Sequence, residues 1–199
     1  MKHHVTLVGC GALGSHVAQF LRNEAQLRVV DFDRVEQKNV LAQFHGKPGV
    51  GKLKVQALRD AMQFLWGVKV DAIHHRLEAI NVDVLFKDTQ LVIDCVDNGS
   101  SRRVIQKWAR SFKGRGYAGD GFPCLHGALA ADGSFGRVCW DASFVVDDED
   151  GAGAPTCEGG EFLPFVAITA AYIARAAQLF LRDGKKVGYS ISPAGAIAV

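Results

Sequence analysis

Residues 5–43 constrain the fold more than any other part of the chain. A short apolar strand pattern leads into a G-x-G-x-x-G turn, and a helical pattern follows the turn. In such a turn Gly9 allows the tight bend, Gly11 a close approach of phosphate to the backbone, and Gly14 close packing of helix on strand. The free N–H groups at the start of that helix also favour an anion. The segment therefore predicts a nucleotide site.

An acidic residue closes the second strand of this segment. The apolar run Leu27–Val30 ends at Asp31, seventeen residues after Gly14. A carboxylate at this distance can hydrogen-bond the ribose hydroxyls of a nucleotide. The pattern fits NAD-, FAD- and ATP-binding folds equally well, so it predicts a nucleotide without choosing one.

Strand and helix patterns alternate along the rest of the chain. Helices are predicted from about Lys52, with Val55, Leu58, Met62 and Leu65 inward, and at 100–112 and 162–181; strands are predicted at 68–72, 91–94, 123–129, 135–140 and 187–191. This order predicts an α/β fold with a Rossmann-like, mainly parallel sheet and helices on both faces. The strands near 123–140 predict a C-terminal antiparallel hairpin extension in which Cys124 and Cys139 face each other. With no repeat or linker, we predict one domain over 1–199.

The composition bears on which binding partners the protein has and on which cellular compartment it occupies. A net charge of +2 gives no electrostatic case for nucleic acid or for an anionic membrane surface. The cysteines are odd in number and form no C-x-x-C pair. No secretory signal pattern opens the chain, so we expect a cytoplasmic protein with free thiols.

One apolar segment is long enough to span a membrane. Phe162–Leu181 is twenty residues long, close to the bilayer-spanning length. Arg175 within it is costly in lipid, so we predict a buried C-terminal helix, with a transmembrane helix as the alternative.

Further polar residues follow the glycine turn in a fixed order. They are Asp31 and Asp33, Asn39 and Gln43, Gly51 and Lys54, then Asp94, Asp97, Asn98 and Arg102. This ordered set resembles the ThiF/MoeB family, the ATP-dependent activating enzymes of ubiquitin-like proteins, over about residues 5–184. The combination is far more specific than any one motif.

The resemblance implies an adenylyltransferase that uses ATP and Mg²⁺. Its expected substrate is the C-terminal glycine of a ubiquitin-like or sulfur-carrier protein. The implied roles are ribose binding by Asp31, phosphate binding by Gly9, Gly11, Gly14, Asn39, Gln43 and Lys54, a place for Asp33 in the same nucleotide site, and Mg²⁺ binding by Asp97, with Lys54 and Asp97 also catalytic. The family also implies a homodimer and admits a conjugating enzyme as a further partner.

The resemblance also places a reactive cysteine just before the long C-terminal helix. Cys157 stands there and would accept the acyl group as a thioester or acyl disulfide. The alternative is a partly buried loop cysteine without a chemical role. Because the two C-x-x-C pairs that many members use for zinc are missing, no structural zinc is expected.

One position departs from the family pattern. Ala42 stands where the family usually has an arginine that contacts phosphate. Arg34, Lys52 or Arg102 could supply the charge instead, or a partner chain could. The departure also fits a non-catalytic subunit of a heterodimeric activating enzyme.

Two other interpretations stay open. An NAD-dependent oxidoreductase would explain Gly9 to Asp31 but leaves Asn39, Lys54 and Asp97 without roles. Individually, the polar residues could also be ordinary structural ones: turn and cap residues at Asp33, Asn39 and Gln43, a solvated lysine at Lys54, and strand-end caps at Asp94 and Asp97.

Overall fold

The computed structural model describes residues 3–113, 120–130, 132–146 and 160–199, so Cys157 lies outside the described residues. The strands are β1 (His3–Val8), β2 (Ala25–Val30), β3 (Asp71–Ile73), β4 (Leu91–Asp94), β5 (Cys124–Leu129), β6 (Gly136–Trp140), β7 (Tyr189–Ser192) and β8 (Gly195–Ala198). The helices are α1 (Ala12–Phe20), α2 (Lys54–Trp66), α3 (Val82–Leu85), α4 (Gly99–Arg110) and α5 (Leu163–Asp183).

All the described strands form one sheet in the order β3-β2-β1-β4-β5-β6-β7-β8. The pairs from β3 to β5 are parallel, and those from β5 to β8 are antiparallel. The predicted α/β fold with an antiparallel C-terminal extension is confirmed. Because β2 and β3 lie on one side of β1 and β4 on the other, the strand order reverses between β1 and β4. A crevice at this reversal is the usual ligand position in such sheets.

Each face of the sheet is covered by helices. One apolar cluster contains Leu7 and Ile93 of the sheet and the inner residues of α1, α2 and α5. A second cluster contains Val8 and Val92 with residues of α3 and α4. Successive residues of a strand point to opposite faces, which is why neighbours such as Leu7 and Val8 belong to different clusters.

Several local predictions were wrong. β3 is shorter than the predicted 68–72 strand and pairs only with Arg28–Val30 of β2. Leu65 is 51% exposed although it lies on the same side of α2 as the fully buried Leu58, and it is the next-to-last residue of the helix. Cys124 and Cys139 do not face each other, since the register pairs Cys139 with His126. The last predicted strand is followed by a further one, β8, that the sequence pattern did not indicate.

The long apolar helix α5 passes the length and hydropathy test for a membrane span. Ala170, Ile173 and Ala177 on its inner face are buried in the first apolar cluster. That side packs on α1 and on strands β5 and β6. The packing agrees with the prediction of a buried C-terminal helix.

Candidate functional site

Three neighbouring strands end at the same edge of the sheet. The register pairs Val8 of β1 with Val30 of β2 on one side and with Asp94 of β4 on the other. The glycine turn, Asp31 and the segment leading to Asp97 therefore begin side by side, at the reversal of strand order.

The glycine turn is shaped by close backbone contacts. Gly9 has a φ of +89°, and a Cβ added there would lie 2.7 Å from the carbonyl oxygen of Cys95. A Cβ on Gly14 would lie 1.8 Å from the carbonyl oxygen of Gly9. Gly11 has open space around the same position, and α1 begins after it without a side-chain cap. The uncapped N–H groups of α1 and the open space at Gly11 suit a phosphate.

Both oxygens of the Asp31 carboxylate are oriented by backbone N–H groups. Oδ2 accepts a hydrogen bond from the N–H of Cys10 at 2.6 Å, and Oδ1 accepts one from Asp33 at 2.7 Å. Burial raises the pKa of Asp31 against the opposing effect of these bonds and of Lys54. An ionised carboxylate has about four acceptor sites, so each oxygen keeps capacity for a ribose hydroxyl.

Lys54 is drawn into this site although it begins a helix. Its side chain is 11% exposed, and its Nζ donates to Asp33 Oδ2 at 2.9 Å. Burial opposes the charge, but Asp31, Asp33 and Asp97 outweigh burial and raise the pKa of Lys54. Lys54 is therefore a charged lysine among three carboxylates, not a solvated one. The exposed Asp97 completes this group.

Asn39 and Gln43 differ in how fully they are bonded. Asn39 is buried, and its Oδ1 accepts a hydrogen bond from the N–H of Glu36, the N-cap residue of a short 3₁₀ turn whose capping box Asn39 completes. Gln43 is also buried, and its Oε1 has no hydrogen-bond partner within the described residues. A buried polar atom without a partner is costly, so Gln43 fits a contact to a ligand or to water.

The sequence patterns did not identify His45. Its Nε2–H donates to the carbonyl oxygen of Cys10 at 2.8 Å, and its buried Nδ1 has no partner among the described residues. Burial, together with Lys54 and His16, lowers the pKa of His45 to about 4. It is therefore a neutral acceptor beside the glycine turn. A lone histidine in a loop gives no sequence signal for this role.

The cations proposed to replace the family arginine are occupied elsewhere. Ala42 is buried, and its carbonyl oxygen accepts a hydrogen bond from His16. Arg34 donates to the carbonyl oxygen of Gly51, and Lys52 lies 3.9 Å from Asp60. Arg102 is bonded to Asp94. By contrast, Lys54 lies close enough to Asp31 for their charges to interact.

A second polar group missed by the sequence analysis lies behind the Asp97 turn. His126 of β5 is buried between Asp94 and Asp141, and Asp141 is paired with Arg110 of α4. Asp94 is thus a buried network residue, while the cap of α4 is Asn98. The sequence feature that could have indicated this group is His126, a histidine within the otherwise apolar strand β5.

Neither thiol chemistry nor a protein-only metal cage is evident in the described part of the chain. Cys10, Cys95, Cys124 and Cys139 are free and buried, and burial raises the pKa of the first three. No group of three or more His, Cys, Asp and Glu side chains within these residues is arranged to hold a metal ion. Mg²⁺ bound with a nucleotide needs only one or two carboxylates, so Asp97 suffices for that mode.

Known proteins share both the sequence and the fold. Molybdopterin-synthase adenylyltransferase of Salmonella typhimurium is 34% identical over 105 residues, which are 51% of this chain and 42% of that protein. SAMP-activating enzyme E1 of Haloferax volcanii is 29% identical over 136 residues, 65% of this chain and 46% of that protein. The chain thus spans less than half the length of these two curated relatives.

A solved structure of E. coli MccB with AMPCPP and selenomethionine MccA matches 99% of this chain and 62% of that chain, at a TM-score of 0.76 and 14% identity. This likeness shows a shared fold. The model of the ThiF family matches residues 1–186, which include the glycine turn, Asp31, Lys54 and Asp97. The match covers nearly the whole chain and every described residue of the site, and the chain belongs to the ThiF family.

Proposed function

We propose that this chain uses ATP and Mg²⁺ to adenylate the C-terminal glycine of a ubiquitin-like or sulfur-carrier protein. The observation that carries the proposal is the convergence of the glycine turn, Asp31, Lys54 and Asp97 at one edge of the sheet in a ThiF family member. Its relatives include a molybdopterin-synthase adenylyltransferase and a SAMP-activating enzyme, which supports the proposal.

The reaction joins a carboxylate to AMP. An oxygen of the glycine carboxylate attacks the α-phosphorus of ATP, the bond to the bridging oxygen breaks, and pyrophosphate leaves with the electron pair. Both partners are anionic, so the site must neutralise charge before they can approach. The buried, charged Lys54 and the uncapped N–H groups of α1 are suited to this task.

The nucleoside end has its own binding groups. Asp31 is oriented by two backbone N–H groups and can accept hydrogen bonds from ribose hydroxyls. Gln43 Oε1 and His45 Nδ1 are buried acceptors that a ligand or an ordered water can satisfy. Asp97 would hold Mg²⁺, which supplies further charge neutralisation at the phosphates.

We further propose that Cys157 accepts the acyl group from the adenylate. In that step the thiolate attacks the acyl carbon, a thioester forms, and AMP leaves. Cys157 follows the acidic segment 147–150 and precedes α5. We also infer a homodimer, and for the product either sulfur transfer or transfer through a conjugating enzyme.

Exchange of pyrophosphate into ATP tests the first step. We expect exchange only with a carrier protein that ends in glycine, and none with the same carrier lacking that glycine. Asp97→Ala should abolish exchange while leaving the fold intact, because Asp97 is exposed. Failure of every glycine-terminated carrier to support exchange would contradict the proposal.

Thermal shift separates the alternative functions. ATP with Mg²⁺ should raise the melting temperature, since a ligand stabilises the state that binds it. Stabilisation by NADH alone would favour the oxidoreductase instead. Single-turnover formation of AMP by the isolated chain with a carrier would exclude a non-catalytic subunit.

A further inference from the structure

A buried chain of alternating charges runs behind the segment that carries Asp97. His126 is fully buried, with Nδ1 at 2.7 Å from Asp94 Oδ2 and Nε2 at 3.2 Å from Asp141 Oδ1. An ionised carboxylate can only accept hydrogen bonds. Both ring nitrogens must therefore donate, and the geometry makes His126 an imidazolium held between two carboxylates.

Arginines of α4 close both ends of this chain. Arg102 Nη1 lies 3.3 Å from Asp94 Oδ2, and Arg110 Nε lies 2.9 Å from Asp141 Oδ2. The ring of Phe144 stacks on His126 with centroids 4.1 Å apart. Residues from β4, β5, α4 and the segment after β6 are thus joined through one imidazole.

The charged chain ends on a single residue of the loop after β4. Asp94 Oδ1 accepts a hydrogen bond from the N–H of Val96 at 3.0 Å, and Arg102 Nη2 donates to the carbonyl oxygen of Val96. Arg102 also donates to the carbonyl oxygen of Gly127 at 3.0 Å. Both backbone polar groups of Val96 are therefore fixed, and Val96 directly precedes Asp97.

A purely structural role explains this arrangement poorly. A buried ion-pair network often stabilises a fold no better than well-packed apolar residues would. Its members here converge on the backbone next to the exposed carboxylate of Asp97. Such second-layer contacts are the usual way of fixing a metal ligand.

We propose that His126 is a positioning residue that acts through Asp94 to hold the Val96 backbone, and thereby the Asp97 carboxylate, in place for the Mg²⁺–nucleotide complex. The inference rests on the proposed function, because it gives Asp97 that ligand. Asp141 and Arg110 extend the same support to the segment after β6.

The test compares nucleotide binding with and without the metal. Isothermal titration of His126→Asn with ATP should show affinity weakened by about tenfold or more in Mg²⁺, as is usual when a second-layer partner of a metal ligand is lost. Binding of ATP in EDTA should change less than about twofold, because the glycine turn and Asp31 lie outside the charged chain. Asp141→Asn, which keeps an oxygen acceptor for Nε2, should retain most of the metal-dependent affinity.

A second measurement needs no ligand. Hydrogen exchange at the Val96 amide should accelerate in His126→Asn, while exchange in α1 stays unchanged. Ile191→Ala is the matched control, because it also removes a fully buried side chain but lies in β7. It should lower stability without changing the Mg²⁺ dependence or the exchange at Val96.

Each outcome decides the proposal. Equal weakening of ATP binding in Mg²⁺ and in EDTA, or no change in either, overturns the positioning role. If His126→Asn does not fold, Arg102→Lys, which loses the paired donors to Asp94 and to the carbonyl oxygen of Val96, should weaken ATP binding in Mg²⁺ but not in EDTA, and equal weakening or none overturns the positioning role. If the natural chain binds no ATP with Mg²⁺, the proposed function fails as well; if it binds normally and only the variants show no effect, the positioning role alone fails.

Discussion

Lys54 places its ammonium 2.9 Å from the carboxylate of Asp33, at the first residue of α2, with most of its side chain buried. A lysine at that position would ordinarily extend into water. Asp31 and Asp97 add attraction that keeps the charge despite burial. The site therefore holds a fixed cation beside the glycine turn.

Replacing this cation should cost nucleotide affinity. We expect Lys54→Met to weaken ATP–Mg²⁺ binding by about 10- to 100-fold, the size of one lost charge-assisted hydrogen bond. Lys52→Met is the matched control, because Lys52 is exposed and pairs only distantly with Asp60. Isothermal titration measures both, and equal losses in the two variants would contradict a specific role for Lys54.

Gly11 and Gly14, the second and third glycines of the turn, should respond differently to an added methyl group. Gly14→Ala places Cβ 1.8 Å from a backbone oxygen that cannot move aside, so the free energy of unfolding should fall by at least about 3 kcal/mol. A Cβ added at Gly11 meets no neighbour, and Gly11 has a negative φ. Gly11→Ala should therefore change the free energy of unfolding by less than about 1 kcal/mol. Urea denaturation measures both.

Gly11→Ala should still reduce ATP affinity, by about tenfold, because the methyl group occupies the surface expected to face phosphate. A Gly11→Ala variant that binds ATP normally would place the phosphates elsewhere.

Stability should depend on pH on both sides of neutrality. Burial lowers the pKa of His45 from 6.5 to about 4, so the unfolded state binds the proton first as pH falls. This histidine should remove about 3 kcal/mol of stability between pH 6.5 and 4. His16, whose pKa burial also lowers, acts in the same direction.

The loss of stability at alkaline pH comes from a histidine whose pKa is raised rather than lowered. Burial opposes the charge of His126, but Cys124, Asp141 and Asp94 around the ring raise its pKa well above 6.5. Its stabilising contribution is complete below pH 6.5 and is lost as pH rises toward the raised pKa. Unfolding free energies measured by urea denaturation from pH 4 to 9 should lose part of the acid slope in His45→Gln, where His16 still contributes, and the alkaline slope in His126→Asn. Unchanged slopes would contradict these assignments.

Cys157 should be required only after adenylation. We expect Cys157→Ser to retain pyrophosphate exchange within about twofold and to lose the thiol-sensitive acyl–enzyme species seen by mass spectrometry. Cys139→Ser is the control, because Cys139 is buried and bonded to Ser143. Retention of the acyl species in Cys157→Ser would assign the acceptor role to another residue.

The sheet and the glycine turn were predictable because their signals are local. Strand and helix periodicity and the spacing from Gly14 to Asp31 lie within short windows of sequence. The predictions failed where the local structure depends on residues that are distant in the sequence. The length of β3 depends on its edge pairing with β2, and the partner of Cys139 depends on the register of β5 and β6.

The sequence by itself determined the family, the α/β alternation and most of the residues gathered at the sheet edge where β1, β2 and β4 end, since order and spacing along the chain carry that information. Only the tertiary structure decided which of these side chains are charged and which are hydrogen-bonded. It buried Lys54 among carboxylates and left Gln43 Oε1 without a partner among the residues that the structure describes. It also enclosed His126 between Asp94 and Asp141, which stand 32 residues before it and 15 after it. Burial and pairing set the free energy of a charge, and both depend on residues brought together only by folding.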